Sequence, residues 1–203
     1  MGAEAPDRGG SETPPRPPTL TDLARLCAEL NRLGARYVVV GGLAVIQAGY
    51  ARATDDIDLL VETSLENEAR VIEALLILPD KAALELKPGE IAEYGVVRVG
   101  DEVLVDLMKS GCGVAYSDAI KDALVFDVQG VPVPFASPHT LWRMKQTPRA
   151  KDIPDRLYLR QLLHAQGIHV ESSQPTAVED PLSRWARRLV RWWKSRTLNA
   201  KDK

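Results

Sequence analysis

The chain has 203 residues, 45% of them hydrophobic and 27% charged, enough to bury one core of about 100 to 150 residues and leave others for tails. It has no apolar run of about 18 residues and no basic-then-apolar start, which argues against a membrane-spanning helix and a secretory signal, so we expect a cytoplasmic protein. Its two cysteines and three histidines are too scattered for a disulfide framework or a zinc site.

The net charge of −2 conceals an uneven distribution. Residues 184–203 contain eight Lys or Arg and one Asp, so this segment carries +7 and the remainder about −9. The chain therefore ends in a strongly basic tail.

The first elements follow from proline content and leucine spacing. Residues 1–18 contain five prolines and almost nothing apolar, which predicts a disordered leader. A helix should begin at Thr19 or Thr21 and end at Gly34, because leucines recur at three- and four-residue spacing after a hydroxyl cap. Residues 37–40, Tyr-Val-Val-Val, predict a buried strand.

After Gly41-Gly42 the pattern predicts short helices and strands. The expected elements are a short helix at about 43–49, a strand at 56–61, a helix at 64–78, and strands near 83–86, 93–99 and 102–108.

The C-terminal half turns from strands to helices. A helical turn is expected near 117–123, strands at 124–128 and 131–135 around Gln129-Gly130, and helices at 141–146 and 152–165. We therefore predict a domain whose core covers 19–136 and whose C-terminal helices cover 137–168, then a polar linker at 169–181 and a basic helix at 182–203.

Asp56 and Asp58 are the most informative residues of the chain. Residues two apart in a strand point to the same face, so both carboxylates project together while Ile57 and Leu59 enter the core. Two adjacent carboxylates repel each other, and a divalent cation such as Mg²⁺ relieves that repulsion. The sequence therefore predicts a metal site for Mg²⁺, or for Mn²⁺ in its place.

Two further features extend this site. Gly41-Gly42, between a strand and a helix, predicts a turn whose amides seat a phosphate, although a double glycine alone is more often a tight turn without a ligand. Asp106 interrupts an apolar strand and must be paired or bound. It is either the third ligand of a two-metal site or a cap for the loop at the strand end.

These residues together resemble the nucleotidyltransferase fold of the polymerase β superfamily over about residues 19–167. The nearest branch comprises small bacterial proteins related to abortive-infection type II toxins, minimal nucleotidyltransferases and lincosamide nucleotidyltransferases. The similarity lies in Gly41-Gly42, in Gly49-x-x-Arg52-x-Thr54-x-Asp56-Ile57-Asp58-Leu59, in the solitary Asp106, and in Lys145-x3-Arg149-x-Lys151-Asp152-x2-Asp155.

The resemblance implies an α/β (α+β) fold with a mixed β-sheet flanked by helices and followed by C-terminal helices. It also implies that Asp56, Asp58 and Asp106 bind the catalytic metal ions. Many members carry a serine where this chain has Gly42, so one phosphate-binding hydroxyl is missing. The implied nucleotide-binding residues are Gly41, Gly42, Arg52, Thr54, Lys145 and Arg149.

The expected activity is transfer of a nucleotide monophosphate from an NTP, ATP included, to an acceptor hydroxyl, with two Mg²⁺ ions stabilising the transition state. RNA or a partner protein is the favoured acceptor, in a toxin–antitoxin or phage-defence setting, and a small molecule is a further possibility. The alternative is a non-catalytic binding or antitoxin module that acts through its basic tail. Retention of three acids favours the enzyme, because an unmetallated acidic cluster costs stability.

Several site residues have plainer interpretations. Arg52 is equally well explained by an ion pair with Asp55 or Asp56, and Thr54 by a turn cap. The charged residues at 145–155 also fit a solvated helix face that carries i,i+4 ion pairs.

The basic tail at 182–203 has four possible partners. Its arginines surround a stripe of tryptophan and leucine, the pattern of a basic amphipathic helix. It can bind RNA, an acidic protein or an anionic membrane surface, or it can dock its tryptophan face on the chain's own core.

Overall fold

The computed structural model describes residues 14–171. Residues 1–13 and 172–203 lie outside the described residues, and with them most of the predicted leader and linker and the whole predicted basic helix. Between residues 14 and 171, no helix is long and apolar enough to cross a membrane.

A mixed six-stranded sheet forms the centre of the domain. The sequence resemblance implies a mixed sheet, and this is confirmed. Its strands are β1 Tyr37–Val40, β2 Asp56–Val61, β3 Val96–Gly100, β4 Leu104–Met108, β7 Leu124–Val128 and β8 Val131–Phe135; a separate small hairpin is formed by β5 Ser110–Gly111 and β6 Val114–Ala115. The sheet order is β3-β4-β2-β1-β8-β7. The β2–β4 and β1–β8 pairs are parallel, whereas the other neighbouring pairs are antiparallel.

Seven α-helices accompany the sheet within the described residues. They are α1 Leu20–Arg32, α2 Gly41–Gln47, α3 Leu65–Leu75, α4 Glu90–Tyr94, α5 Tyr116–Ala119, α6 Pro138–Met144 and α7 Asp152–Ala165. The fold is therefore of the mixed α/β (α+β) class. The central strands form its core, and both Ile57 and Leu59 are fully buried as predicted.

The first helix begins at the predicted hydroxyl cap. Thr19 Oγ1 accepts a hydrogen bond from the Asp22 N–H, and Asp22 Oδ2 accepts one from the Thr19 N–H at 2.8 Å, which together form a capping box. Leu23, Leu26 and Leu30 are fully buried, so this helix presents a continuous apolar stripe to the core. Thr19 rather than Thr21 is the cap.

Of the two strands predicted before β4, the one at 83–86 is wrong, and the one at 93–99 is confirmed but begins later. Residues 82–85 form a 3₁₀ helix instead of a strand, because Asp101 accepts hydrogen bonds from the Asp80 and Ala82 N–H groups at 3.0 and 3.1 Å. Residues 93 and 94 belong to α4, and the strand begins only at Val96. The acceptors that fix these turns come from distant parts of the chain, which explains why local residue patterns missed them.

Arg16 contacts the domain from within the segment predicted as a leader. Its guanidinium pairs with Asp22 at 2.7 Å and with Glu102 at 3.0 Å. Its backbone N–H also donates to the Glu102 carbonyl at 2.9 Å.

Glu68 is a fully buried carboxylate that caps α4. It accepts hydrogen bonds from the N–H groups of Gly89, Ile91 and Ala92 at 2.6, 3.2 and 2.9 Å. We predict that Glu68→Ala lowers the free energy of unfolding by about 2–4 kcal/mol, because three N–H donors, one of them buried and two partly buried, lose their acceptor. Urea denaturation measures this loss.

The matched control for this change is Glu66→Ala on the same helix. Glu66 is an exposed partner of Arg70, so its removal should leave the urea midpoint almost unchanged. Equal losses in the two variants would contradict the capping role of Glu68.

Candidate active site

Three carboxylates meet on one face of the sheet. β2 runs parallel to β4 in a register that places Asp58 directly opposite Asp106. Asp56 precedes Asp58 by two residues and so shares its face. Oxygens of Asp56, Asp58 and Asp106 all lie within 4.8 Å of one another. The structure thus brings together the three residues that the sequence predicts as metal ligands.

The glycine turn lies directly against this cluster. Val40, the last residue of β1, is the register partner of Asp58, and α2 begins at Gly41, two residues earlier than predicted. Gly41 has a φ of +63°, and a Cβ atom there would lie 1.7 Å from Asp58 Oδ2. The Gly42 N–H donates to the same oxygen at 3.3 Å. Glycine is therefore required at position 41 to admit the Asp58 carboxylate.

Thr54 fills the space where a side chain at position 42 would lie. A Cβ atom on Gly42 would be 2.2 Å from Thr54 Oγ1 and 3.6 Å from Arg52 Nη2. Thr54 Oγ1 also lies 3.3 Å from the Asp56 carbonyl oxygen and 3.4 Å from Asp56 Oδ1. A side chain at position 42 would therefore displace Thr54, whose hydroxyl group lies beside the turn.

A buried ionic network lies beside the cluster. Lys145 Nζ is 3.0 Å from both Asp152 Oδ1 and Asp155 Oδ2. Arg52 Nη1 contacts Asp155 at 2.6 Å, and Arg149 Nε contacts Asp152 at 2.8 Å. Both aspartates are buried, which makes the solvated-face interpretation wrong for them. Asp155, rather than an acid next to Arg52 in sequence, is the partner of Arg52.

The network favours the ionised form of Asp152. Burial raises the pKa of Asp152, but the Lys145 ammonium and hydrogen bonds from Thr147 and Lys145 more than offset this and bring the pKa below its usual range. The Lys145 charge also acts on Asp58. Lys145 and Arg52 are therefore cations fixed next to the carboxylate cluster and the glycine turn.

Arg98 belongs to the site although the sequence reasoning missed it. It is the register partner of Asp106 on β3. Its Nε and Nη2 donate to the two carboxylate oxygens of Asp106 at 2.6 Å each, and Nη2 also reaches Asp56 Oδ2 at 3.1 Å. Such a forked contact is the strongest type of charge-assisted hydrogen bond. A signal was present, because Arg98 interrupts a run of valines as Asp106 interrupts its own apolar strand.

The cluster remains short of positive charge. Burial raises the pKa of Asp58 to about 7, with further contributions from the charges of Asp56 and Asp106, while Lys145 and the Gly42 N–H act in the opposite direction. Carboxylate oxygens held this close are hard donors that suit Mg²⁺ or Mn²⁺. The residues present therefore fit a divalent cation.

Comparison with known proteins gives distant likenesses only. Neither a protein-family model nor a curated protein matches the sequence. The crystal structure of ANT(2″)-Ia in complex with adenylyl-2″-tobramycin is 17% identical, with 73% of this chain and 91% of that chain covered and a TM-score of 0.45. Its solution structure is 13% identical, with 90% and 97% covered and a TM-score of 0.47.

A third similar structure is the crystal structure of an antigenic nucleotidyltransferase-like protein from Paracoccidioides brasiliensis. It is 17% identical, with 94% of this chain and 97% of that chain covered and a TM-score of 0.45. At such low similarity, the function proposed below depends on the geometry of the site. The toxin-related branch inferred from the sequence stays a prediction.

The contact between Gly41 and Asp58 can be tested by substitution. We predict that Gly41→Ala lowers the free energy of unfolding by about 2–4 kcal/mol, because it adds a steric clash to the cost of a positive φ. Gly130→Ala is the matched control, since Gly130 has a φ of +83° with no atom within 4 Å of its added Cβ. It should cost about 1–2 kcal/mol. Equal losses in urea denaturation would contradict the clash.

The raised pKa of Asp58 predicts a pH-dependent stability without metal. Since the folded chain binds this proton more tightly than the unfolded chain, stability falls as pH rises from about 4 to 7. Asp58→Asn removes this titration. In EDTA, the free energy of unfolding of the variant should therefore exceed that of the wild type by about 1–3 kcal/mol at pH 8 and by less at pH 5.

Denaturant titrations at both pH values measure this difference. Asp55→Asn is the control, because Asp55 is exposed next to the cluster. Its substitution should change the free energy of unfolding by the same amount at pH 5 and at pH 8. A constant difference between Asp58→Asn and wild type would rule out the raised pKa.

Proposed function

We propose that this protein is a divalent-metal-dependent nucleotidyltransferase, which moves a nucleotide monophosphate from an NTP such as ATP to an acceptor hydroxyl. The observation that carries the proposal is the convergence of Asp56, Asp58 and Asp106 within 4.8 Å beside the Gly41-Gly42 turn. Phosphoryl and nucleotidyl transfer require such a combination of hard anionic ligands and a phosphate-binding backbone.

The three aspartates are assigned to Mg²⁺ or Mn²⁺. A bound divalent ion neutralises charge on the phosphates and lowers the pKa of a coordinated hydroxyl. Asp56 and Asp58 lie closest to the glycine turn, and Asp106 holds the opposite side of the cluster. The pKa of Asp58, still raised despite Lys145 and the Gly42 N–H, supports this assignment because a further cation would relieve it.

The triphosphate is assigned to the side of the site formed by the turn and its neighbouring cations. Arg52 is held by Asp155 and its Nη2 reaches the surface of the turn. Lys145 is held by two acids, so its ammonium is positioned before the substrate arrives. The proposed nucleotide-binding residues are Gly41, Gly42, Arg52, Thr54, Lys145 and Arg149.

The reaction is an in-line displacement at the α-phosphorus. The acceptor oxygen forms a bond to phosphorus while the bond to the bridging oxygen of pyrophosphate breaks. The acceptor proton passes to a carboxylate of the cluster and then to solvent, and pyrophosphate leaves with the electron pair of the broken bond. The chain supplies orientation and charge stabilisation and forms no covalent intermediate.

RNA or a partner protein is the proposed acceptor class, in a toxin–antitoxin or phage-defence setting. The support comes from the sequence resemblance and from the basic composition of residues 182–203, which attracts polyanions through counterion release.

A second candidate is a non-catalytic module that acts through the basic tail. Arg98 favours it, because this guanidinium already neutralises part of the acidic cluster without a metal. The presence of three acids therefore does not by itself require catalysis, and the two functions must be separated by experiment.

The deciding experiment follows transfer of label from each α-³²P-NTP in Mg²⁺. Separate reactions receive total RNA, cell lysate proteins, an aminoglycoside, or no acceptor. We predict label transfer in one of them that falls by at least about 1,000-fold in Asp56→Ala/Asp58→Ala, because loss of metal ligands removes several kcal/mol of transition-state stabilisation.

Asp55→Ala is the matched control for this experiment. Asp55 is exposed and immediately precedes the cluster, so the variant should transfer label at the wild-type rate. Absence of transfer with every NTP and acceptor, together with absence of nucleotide binding, would favour the non-catalytic module.

A further inference from the structure

Arg98 holds the position at which a second cation would be expected. Its guanidinium binds both oxygens of Asp106 and one oxygen of Asp56. Two of the three candidate metal ligands are thus bridged by a side chain of the same polypeptide. A guanidinium stays protonated at all pH values of interest, so this charge is permanent.

The β-sheet fixes the position of Arg98, which is therefore not a loose surface side chain. Arg98 and Asp106 are directly opposed in the antiparallel β3–β4 pair. In sequence, the two residues are equally far from Glu102 in the connecting turn. The Arg98 side chain is 29% exposed and that of Asp106 is 12% exposed. The forked contact is therefore largely sheltered from water, where charge-assisted hydrogen bonds are strong.

The charge balance of the site leaves room for one divalent ion. Asp152 and Asp155 join the three cluster acids, and these five carboxylates face the four cations of Arg52, Arg98, Lys145 and Arg149. One divalent ion converts this small negative excess into a small positive one. In the substrate-free site, a second ion would increase this positive excess and would compete with the Arg98 guanidinium, which already contacts Asp56 and Asp106.

We propose that Arg98 is a built-in counter-ion that takes the place of the second metal, so that the chain binds a single divalent ion, held through Asp56 and Asp58. The inference rests on the proposed function, in which these acids bind metal, and it narrows the set of ligands: Asp106, assigned there to the metal, is here neutralised by Arg98 instead. It departs from the two-ion site implied by the sequence resemblance. Arg98 acts here as a positioning residue, since it orients Asp106 and neutralises it.

The test is a titration of the full chain with Mn²⁺ alone, followed by electron paramagnetic resonance of free and bound ion. We expect one bound Mn²⁺ per chain for wild type and two for Arg98→Gln, with dipolar broadening between the two ions in the variant. Arg98→Lys keeps the charge and should bind one. Asp58→Asn should weaken binding of the wild-type ion by at least 10-fold.

Arg70→Gln is the matched control, because Arg70 forms an exposed ion pair on α3 and should leave the count at one. Thermal melting in EDTA checks that each variant folds. If Arg98→Gln does not fold, the wild-type and Arg98→Lys counts still decide, since a count of two in either contradicts the inference.

The outcomes separate this inference from the proposed function. Two ions in wild type, or one ion in folded Arg98→Gln, would overturn the role of Arg98 and leave a metal-dependent enzyme. If neither the wild type nor Arg98→Gln binds Mn²⁺, the metal site itself and both proposals are overturned.

Discussion

The register of β2 between β1 and β4 is the constraint on which the site depends. It aligns Val40, Asp58, Asp106 and Arg98 in one row across four strands. Because strands lie about 4.8 Å apart, their side chains on one face are brought into contact. A shift of β2 by one residue would turn both acids into the core and Ile57 outward. The fully buried Ile57 and Leu59 therefore fix the site as well as the fold.

The same register explains why the turn after β1 consists of glycines. Gly41 follows the residue opposite Asp58, so any side chain there would collide with the Asp58 carboxylate. Gly42 faces Thr54, which lies two residues before β2. The two glycines thus reflect crowding by residues that themselves belong to the site.

Local patterns predicted those parts of the molecule that local forces determine. The capped α1, strands β1 and β2, the hairpin at Gln129-Gly130 and the full extent of α7 follow from spacing, caps and turn residues. The 3₁₀ helix at Ala82–Glu85 could not be predicted in this way, because Asp101 determines it from 16 or more residues away.

The same distinction between local and long-range determinants applies to the residues of the candidate site. Asp56 and Asp58 could be recognised from two-residue spacing alone, and Asp106 from its position inside an otherwise apolar strand. The partnership of Arg98 with Asp106 depends on hairpin register, and that of Arg52 with Asp155 on packing of α7 across 103 residues of sequence. The sequence indicates a long-range pair of this kind only weakly, through a charged residue inside an apolar run.

If the chain binds a nucleotide as proposed, the ionic network determines how that nucleotide can approach. Arg52 and Lys145 are already paired with buried acids. Their side chains are therefore held in fixed positions, but most of their positive charge is already compensated. With five carboxylates against four cations, the metal-free site repels a polyanion. A triphosphate accompanied by a divalent ion reverses that balance and gains the preorganised donors. Under the proposed function, this charge arrangement favours entry of the NTP as its metal complex, after which Arg52 and Lys145 would orient phosphates whose charge the ion has already reduced.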